Sequence, residues 1–166
     1  MLSLGNAIAA LALGTCLLTS AACAPGPGSE HLSATSAASS TGTRDPLVYA
    51  AQMVRETNAV RHTRGLGELA ASPCARDAAL RRAADLIGKS ELTHAALTGV
   101  IATCAPASTA AENLSRADAG PAVVVAAWMS SPGHRSNLLD PALTQIGVAC
   151  LPDRGRILCS EVFLGP

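Results

Sequence analysis

The sequence predicts an α+β domain, and three observations carry that reading. Helical spacings with proline-opened starts occupy the chain from Asp45 to about Ser130. Strand-like segments close it, in "QIGVAC" and "RILCSEVF". Two of the four cysteines in the body fall where these closing strands would set them face to face. Helices first and strands last is the pattern of an α+β fold rather than of alternating βαβ units.

Each element has its own signal. Asp45 is a helix cap and Pro46 suits a first helical turn. Leu47, Ala50, Ala51, Val54 and Asn58 follow at helical spacing, and the helix should stop before Gly65. Ser72 and Pro73 repeat the device and open a second helix towards Ile87, with Gly88 as its stop. Its apolar positions are Cys74, Ala78, Leu80, Ala84 and Leu86, with Arg76, Asp77, Arg81, Arg82 and Asp85 between them. Leu92 to Asn113 has no clean period and reads as loop with short turns. Gly120-Pro121 opens a third helix to about Ser130, where valine and alanine surround Trp128 and point to burial on more than one face. The closing strands are separated by the turn chemistry of "LPDRG". Pairing Cys150 with Cys159 puts Val148 opposite Glu161 and Ile146 opposite Phe163.

Composition bounds the rest. The 166 residues carry a formal net charge of zero. That excludes a sequence-nonspecific nucleic-acid binder, which needs a basic surface to displace counterions. Apolar residues make up 49% of the chain but aromatic ones only 2%. A core of alanine, valine and leucine buries little area per residue, so covalent staples would help so small a domain. Four body cysteines in an exported chain imply two disulfides, for which three pairings exist. The hairpin register favours Cys150–Cys159 and leaves Cys74–Cys104.

Export is read from the N-terminus. Ala7 to Leu18 is apolar but too short to span a bilayer, and it fits a signal-peptide core. Ser20 and Ala22 are small where a signal peptidase reads, placing the cut before Cys23. A cysteine there resembles a bacterial lipoprotein signal, although Ser20 stands where leucine is usual and no Lys or Arg precedes the apolar run. Lipidation of Cys23 and an ordinary cleaved signal are the two expectations. Ala24 to Arg44 is rich in Ser, Thr, Gly, Pro and Ala, the composition of a tether. The expected organisation is a signal peptide in residues 1–22, a tether in 23–44 and a folded domain in 45–166.

Several segments, taken in order, resemble the CAP superfamily (cysteine-rich secretory protein, antigen 5, pathogenesis-related-one; also called the SCP domain) in its compact bacterial form. They are "NAVR" from Asn58, "LGELAASPCARDAALRRAADL", "THA" around His94, "ENL" from Glu112, "WMSSPGHRSNLL" from Trp128, and "IGVAC" with "SEVF". The resemblance covers roughly Leu47 to Phe163. It implies an α-β-α sandwich around a small antiparallel sheet, and a cavity where two histidines and two glutamates converge. Position by position these are His94, His134 and Glu112; the second glutamate is replaced by Ser131. Pro132 and Gly133 turn the chain, Ser131 is expected to cap the next helix, and His134 is held at that helix's start. Trp128, Asn137 and Asn58 are expected to be structural, with Asn137 bonding backbone near the turn. His62 reads as a solvated surface residue.

Two imidazoles and a carboxylate are zinc ligands, and three protein ligands plus water is the open, catalytic type of site. His94, Glu112 and His134 come from three distant segments, so only the resemblance joins them; the residues themselves give no local metal spacing. The chain has no GxSxG and no CxxC, and Ser131 beside His134 is adjacency without a placed acid or oxyanion hole. The expectation is therefore a non-catalytic extracytoplasmic binding module. The ligand classes in view are a lipid or a divalent metal, and the partners a cell-envelope or host component, since family members bind sterols or other lipids, block channels or act in host interaction. The alternative is a metal-dependent hydrolase-like enzyme using His94, Glu112 and His134.

Overall fold

A computed structural model describes residues 45–166. The expected signal peptide, Cys23 and the expected tether lie outside the described residues. The elements are α1 (Pro46–Thr63), β1 (Ala70–Ala71), α2 (Pro73–Leu86), α3 (Thr98–Thr103), β2 (Thr109–Ala117), α4 (Pro121–Ser130), α5 (Pro132–Leu139), β3 (Gln145–Asp153) and β4 (Arg156–Gly165). Proline opens α1, α2, α4 and α5. There its missing N–H loses no helical bond. The Asp45 carboxylate accepts from Leu47 N and Val48 N, and the Ser72 hydroxyl accepts from Ala75 N. Gly88 follows α2 at φ 72, a conformation that favours glycine.

The strands form one sheet in the order β1-β3-β4-β2. It is antiparallel except for β1, whose two residues pair parallel with Gln145 and Ile146. Cys150 faces Cys159, Val148 faces Glu161 and Ile146 faces Phe163, the register expected from the cysteines. One face of the sheet packs Ile146, Val148 and Phe163 against Tyr49 and Met53 of α1, Val124, Val125 and Trp128 of α4, and Leu138 of α5. The other packs Ala149, Val162 and Leu164 against Ala75, Ala78 and Ala79 of α2. The result is an α-β-α sandwich. The small residues are what bring α2 so close. A Cβ on Gly147 would stand 2.0 Å from Arg76 N, so the first turn of α2 lies directly on the backbone of β3.

Four expectations are corrected. The helix α4, expected to be buried on more than one face, buries one stripe of Pro121, Val124, Val125 and Trp128 and leaves Val123 exposed. The buried face of α1 is Tyr49, Ala50, Met53, Thr57 and Arg61, whereas Leu47 is 82% exposed and Ala51 is exposed. Leu80, placed on the apolar face of α2, is 47% exposed. The stretch read as loop contains α3 and the first half of β2. In α1 buried polar residues, Thr57 and Arg61, share the inward face, and in α2 that face is made largely of alanines, so counting the larger apolar positions misses its phase. Arg61 is 2% exposed. Its guanidinium donates to the carbonyls of Gly67, Leu138, Asp140 and Leu143. One side chain thus ties α1 to the loop before β1 and to the α5–β3 connection. A second clamp is the ion pair of Arg116 with Asp153, Nε to Oδ2 2.7 Å, which also bonds Leu86 O and so joins β2, β3 and the end of α2.

Both disulfides are Cys74–Cys104 and Cys150–Cys159, closing sequence separations of 30 and 9 residues. Loop-closure entropy assigns about 3–4 kcal/mol to the first and about 2–3 kcal/mol to the second. Replacing Cys74 and Cys104 together by alanine is therefore expected to lower stability more than replacing Cys150 and Cys159, as measured by urea denaturation at neutral pH.

Candidate functional site

The sandwich leaves an open cleft of about 490 Å³ beside β2, lined among others by His94, Leu97, Ala111, Glu112, Ser131 and His134. Each comes from a different local device. His94 stands in the loop between α2 and α3, Glu112 is the fourth residue of β2, and His134 is the third residue of α5. The chain bends at Ser131, between α4 and α5, and Pro132 and Gly133, expected to form the turn, are instead the first two residues of α5. Ser131 sits at the cap position, but its hydroxyl makes no capping bond, which corrects the expected role. Asn137 donates not to the turn but across the cleft wall, to Glu112 O at 3.2 Å and Asn113 Oδ1 at 2.9 Å, pinning α5 to β2. Trp128 donates Nε1–H to Leu114 O at 3.2 Å, and its ring centroid lies 6.1 Å from that of His134. It thus forms the floor under the second imidazole. Asn58 lies away from the cleft and bonds the Leu69 backbone in both directions. His62 is exposed.

Glu112 is the centre of the cluster, and its side chain is only 1% exposed. Oε1 accepts from Arg82 Nε at 3.0 Å and from Ser160 Oγ at 3.0 Å. Oε2 accepts from Arg82 Nη2 at 3.3 Å and pairs with His94 Nδ1 at 2.9 Å. An ionised carboxylate has about four acceptor sites, and here four donor atoms meet them. Arg82 also donates to Thr93 O at 3.1 Å, so it holds the residue preceding His94 as well. His94 offers its Nδ1–H to the carboxylate, and its ring is half exposed, with Nε2 left for the cleft. His134 differs. Its Nδ1 is buried with no hydrogen-bond partner among the described residues. Burial, then the neighbouring His94, holds its basicity below the ordinary value and favours the neutral ring.

Sequence reading missed Arg82 and Ser160. Arg82 carried a signal: Ala75, Ala78, Ala79, Arg82, Ala83 and Leu86 share one helical stripe, so an arginine in that row faces inward. The structure does not build the three-ligand metal set from His94, Glu112 and His134. Glu112 is turned to Arg82, Ser160 and His94, and among the described residues no three of His, Cys, Asp and Glu are placed to hold a metal ion.

A helical sandwich with two disulfides, a Trp-floored turn carrying one histidine and a strand glutamate carrying another defines a CAP-type domain. The match to the family model of the cysteine-rich secretory protein family, over residues 54–163, places the chain in that family, and the chain belongs to the CAP superfamily. The chain is 32% identical over 153 residues to the Bacillus subtilis (strain 168) protein YkwD, covering 86% of the chain and 55% of the relative. The chain therefore spans about half the length of that curated relative. A cysteine-rich secretory protein of Staphylococcus aureus matches in structure with a TM-score of 0.64 and 24% identity, over 74% of this chain and 40% of that one. An extracellular SCP-domain protein of Bacillus anthracis gives 0.62 and 22%, over 73% and 41%. An outer surface protein of Borrelia burgdorferi gives 0.59 and 21%, over 69% and 90%. No helix among the described residues is long and apolar enough to cross a membrane.

Proposed function

We propose that this chain is an extracytoplasmic, non-catalytic binding module whose cleft presents two imidazoles to a polar ligand of the cell envelope. The observation that carries the reading is the saturation of Glu112: a carboxylate met by four donor atoms is not free to act as a general base. No hydrogen bond joins Ser131 to His134 among the described residues, so a serine nucleophile has no activating base either. What remains open to a ligand is His94 Nε2, the His134 ring and the Ser131 hydroxyl, above apolar walls from Ala95, Leu97 and Ala111. That mixture of a few polar groups on apolar walls suits recognition. The sequence-level export signal, with the extracellular and outer-surface relatives, supports the location. Cys23 as a lipid anchor, with residues 24–44 as the tether, belongs to the same proposal.

The test follows the ring C–H resonances of His94 and His134 by NMR. Soluble peptidoglycan fragments are titrated in one arm and phosphatidylglycerol vesicles in the other. Shifts of both rings with one probe, without turnover, are expected. Shifts confined to residues outside the cleft, or hydrolysis of an ester or peptide that His134→Ala abolishes, would overturn the reading.

A further inference from the structure

Building on the binding-cleft reading, we propose that Arg82 is a built-in counter-cation that occupies the electrostatic role of a metal ion at Glu112, so that this CAP cleft is closed to metal by its own α2 helix. The resemblance to the family leads to the expectation of a carboxylate available among the histidines, and the position of Arg82 removes it. The guanidinium contacts both carboxylate oxygens, at 3.0 and 3.3 Å, in the two-pronged geometry that suits arginine. Both side chains are withdrawn from water, at 13% and 1% exposed. An arginine stays charged at any ordinary pH. A cation binding Glu112 would have to displace that guanidinium and strand it beside a second positive charge. With Arg82 in place the carboxylate has its counter-charge, and His94 completes its hydrogen bonding. Without Arg82 a nearly buried negative charge has lost its compensation, and two of the carboxylate's acceptor sites open. A divalent cation then has what it lacked: an unpaired carboxylate at the edge of a cleft that already holds two imidazoles.

The proposal makes loss of an arginine a gain of metal binding, which a merely structural Arg82 would not produce. Zinc chloride is titrated by calorimetry into the full oxidised chain, its Arg82→Met variant, its Glu112→Gln variant and the double variant. Methionine keeps the packing of the stem and removes the charge. Arg82→Met is expected to bind zinc 1:1 at least tenfold more tightly than the unaltered chain, and the gain should vanish when Glu112→Gln is added. In the unaltered background Glu112→Gln should leave zinc affinity within twofold. That last comparison stands even if Arg82→Met does not fold. The proposal is overturned by a folded Arg82→Met that shows no gain, by a gain that survives Glu112→Gln, or by zinc binding in the unaltered chain that Glu112→Gln weakens tenfold. These readouts are separate from the ligand-induced ring shifts, so the two readings of the cleft can fail independently.

Discussion

Arg61→Ala is expected to be among the most damaging single substitutions in the domain. The guanidinium is 2% exposed and satisfies four backbone carbonyls, from Gly67, Leu138, Asp140 and Leu143. Two of these, Asp140 and Leu143, lie on the α5–β3 connection, and Leu138 lies in the last turn of α5. Removing the arginine strands those acceptors and opens a void in the floor between α1 and α5. Buried acceptors left without donors are penalised individually by about 1–3 kcal/mol, before any relaxation admits water. A loss of about 4–5 kcal/mol, or failure to accumulate folded protein, is the expected outcome in urea denaturation. Burial lowers the affinity of this guanidinium for its proton, and the nearby Asp140 opposes that in part. Arg61→Lys keeps the charge but has one nitrogen for four widely spaced carbonyls, so it should recover only a minor part of the stability. Recovery to within about 1 kcal/mol would mean that charge, not the carbonyl fork, is what α1 supplies.

The second large effect concerns Glu161, a carboxyl in the middle of β4 with no accessible surface. Thr57 donates to Oε1 at 2.8 Å, while Oε2 has no partner among the described residues. Burial pushes the carboxyl up to about 8 from an ordinary value of 4.5, and the Thr57 bond pulls it back in part. The folded chain therefore keeps a proton that the unfolded chain releases above about pH 4.5. Stability from this group is fully present below that pH and falls as pH rises to about 8. At 1.36 kcal/mol per pH unit the loss across that window is about 5 kcal/mol as an upper bound. Glu161→Gln places a neutral amide of the same shape in the site, with an NH₂ where Oε2 already lacked a partner. It should be near neutral at pH 4.5 and should stabilise the domain by several kcal/mol at pH 8.5, flattening the stability profile. Parallel profiles for the two proteins between these pH values would show that Glu161 is ionised in the folded state and that a partner compensates it.

These two residues also show where the sequence was legible. Helix starts were readable because Asp45-Pro46, Ser72-Pro73 and Gly120-Pro121 act through local geometry that no tertiary contact has to confirm. The hairpin was readable because period two and a pair of cysteines fix one register. The inward face of α1 was not, because Thr57 and Arg61 are buried for the sake of Glu161 and four carbonyls that lie 77 to 104 positions away or in the next loop. β2 escaped notice for a related reason. Its centre is Glu112 and Asn113, both buried, so the strand lacks an apolar alternation. The cleft was legible as a set of positions and not as chemistry. His94, Glu112 and His134 do line one cleft. The hydrogen bonds that decide what Glu112 is for come from Arg82 and Ser160, one placed only among the charges between the apolar positions of the second helix and the other not singled out.

The account rests on Glu112 acting as an ionised acceptor that fixes His94, and the proton on His94 reports this directly. The measurement is the ¹⁵N spectrum of the His94 ring in the neutral form, assigned by comparison with His94→Ala. The account predicts the proton on Nδ1, donated to Glu112, with Nε2 an unprotonated nitrogen facing the cleft. It further predicts that this tautomer is lost in Glu112→Leu. A proton on Nε2 in the unaltered chain would contradict it, since Nδ1 would then have no hydrogen to give and the Arg82–Glu112–His94 chain would not exist as described.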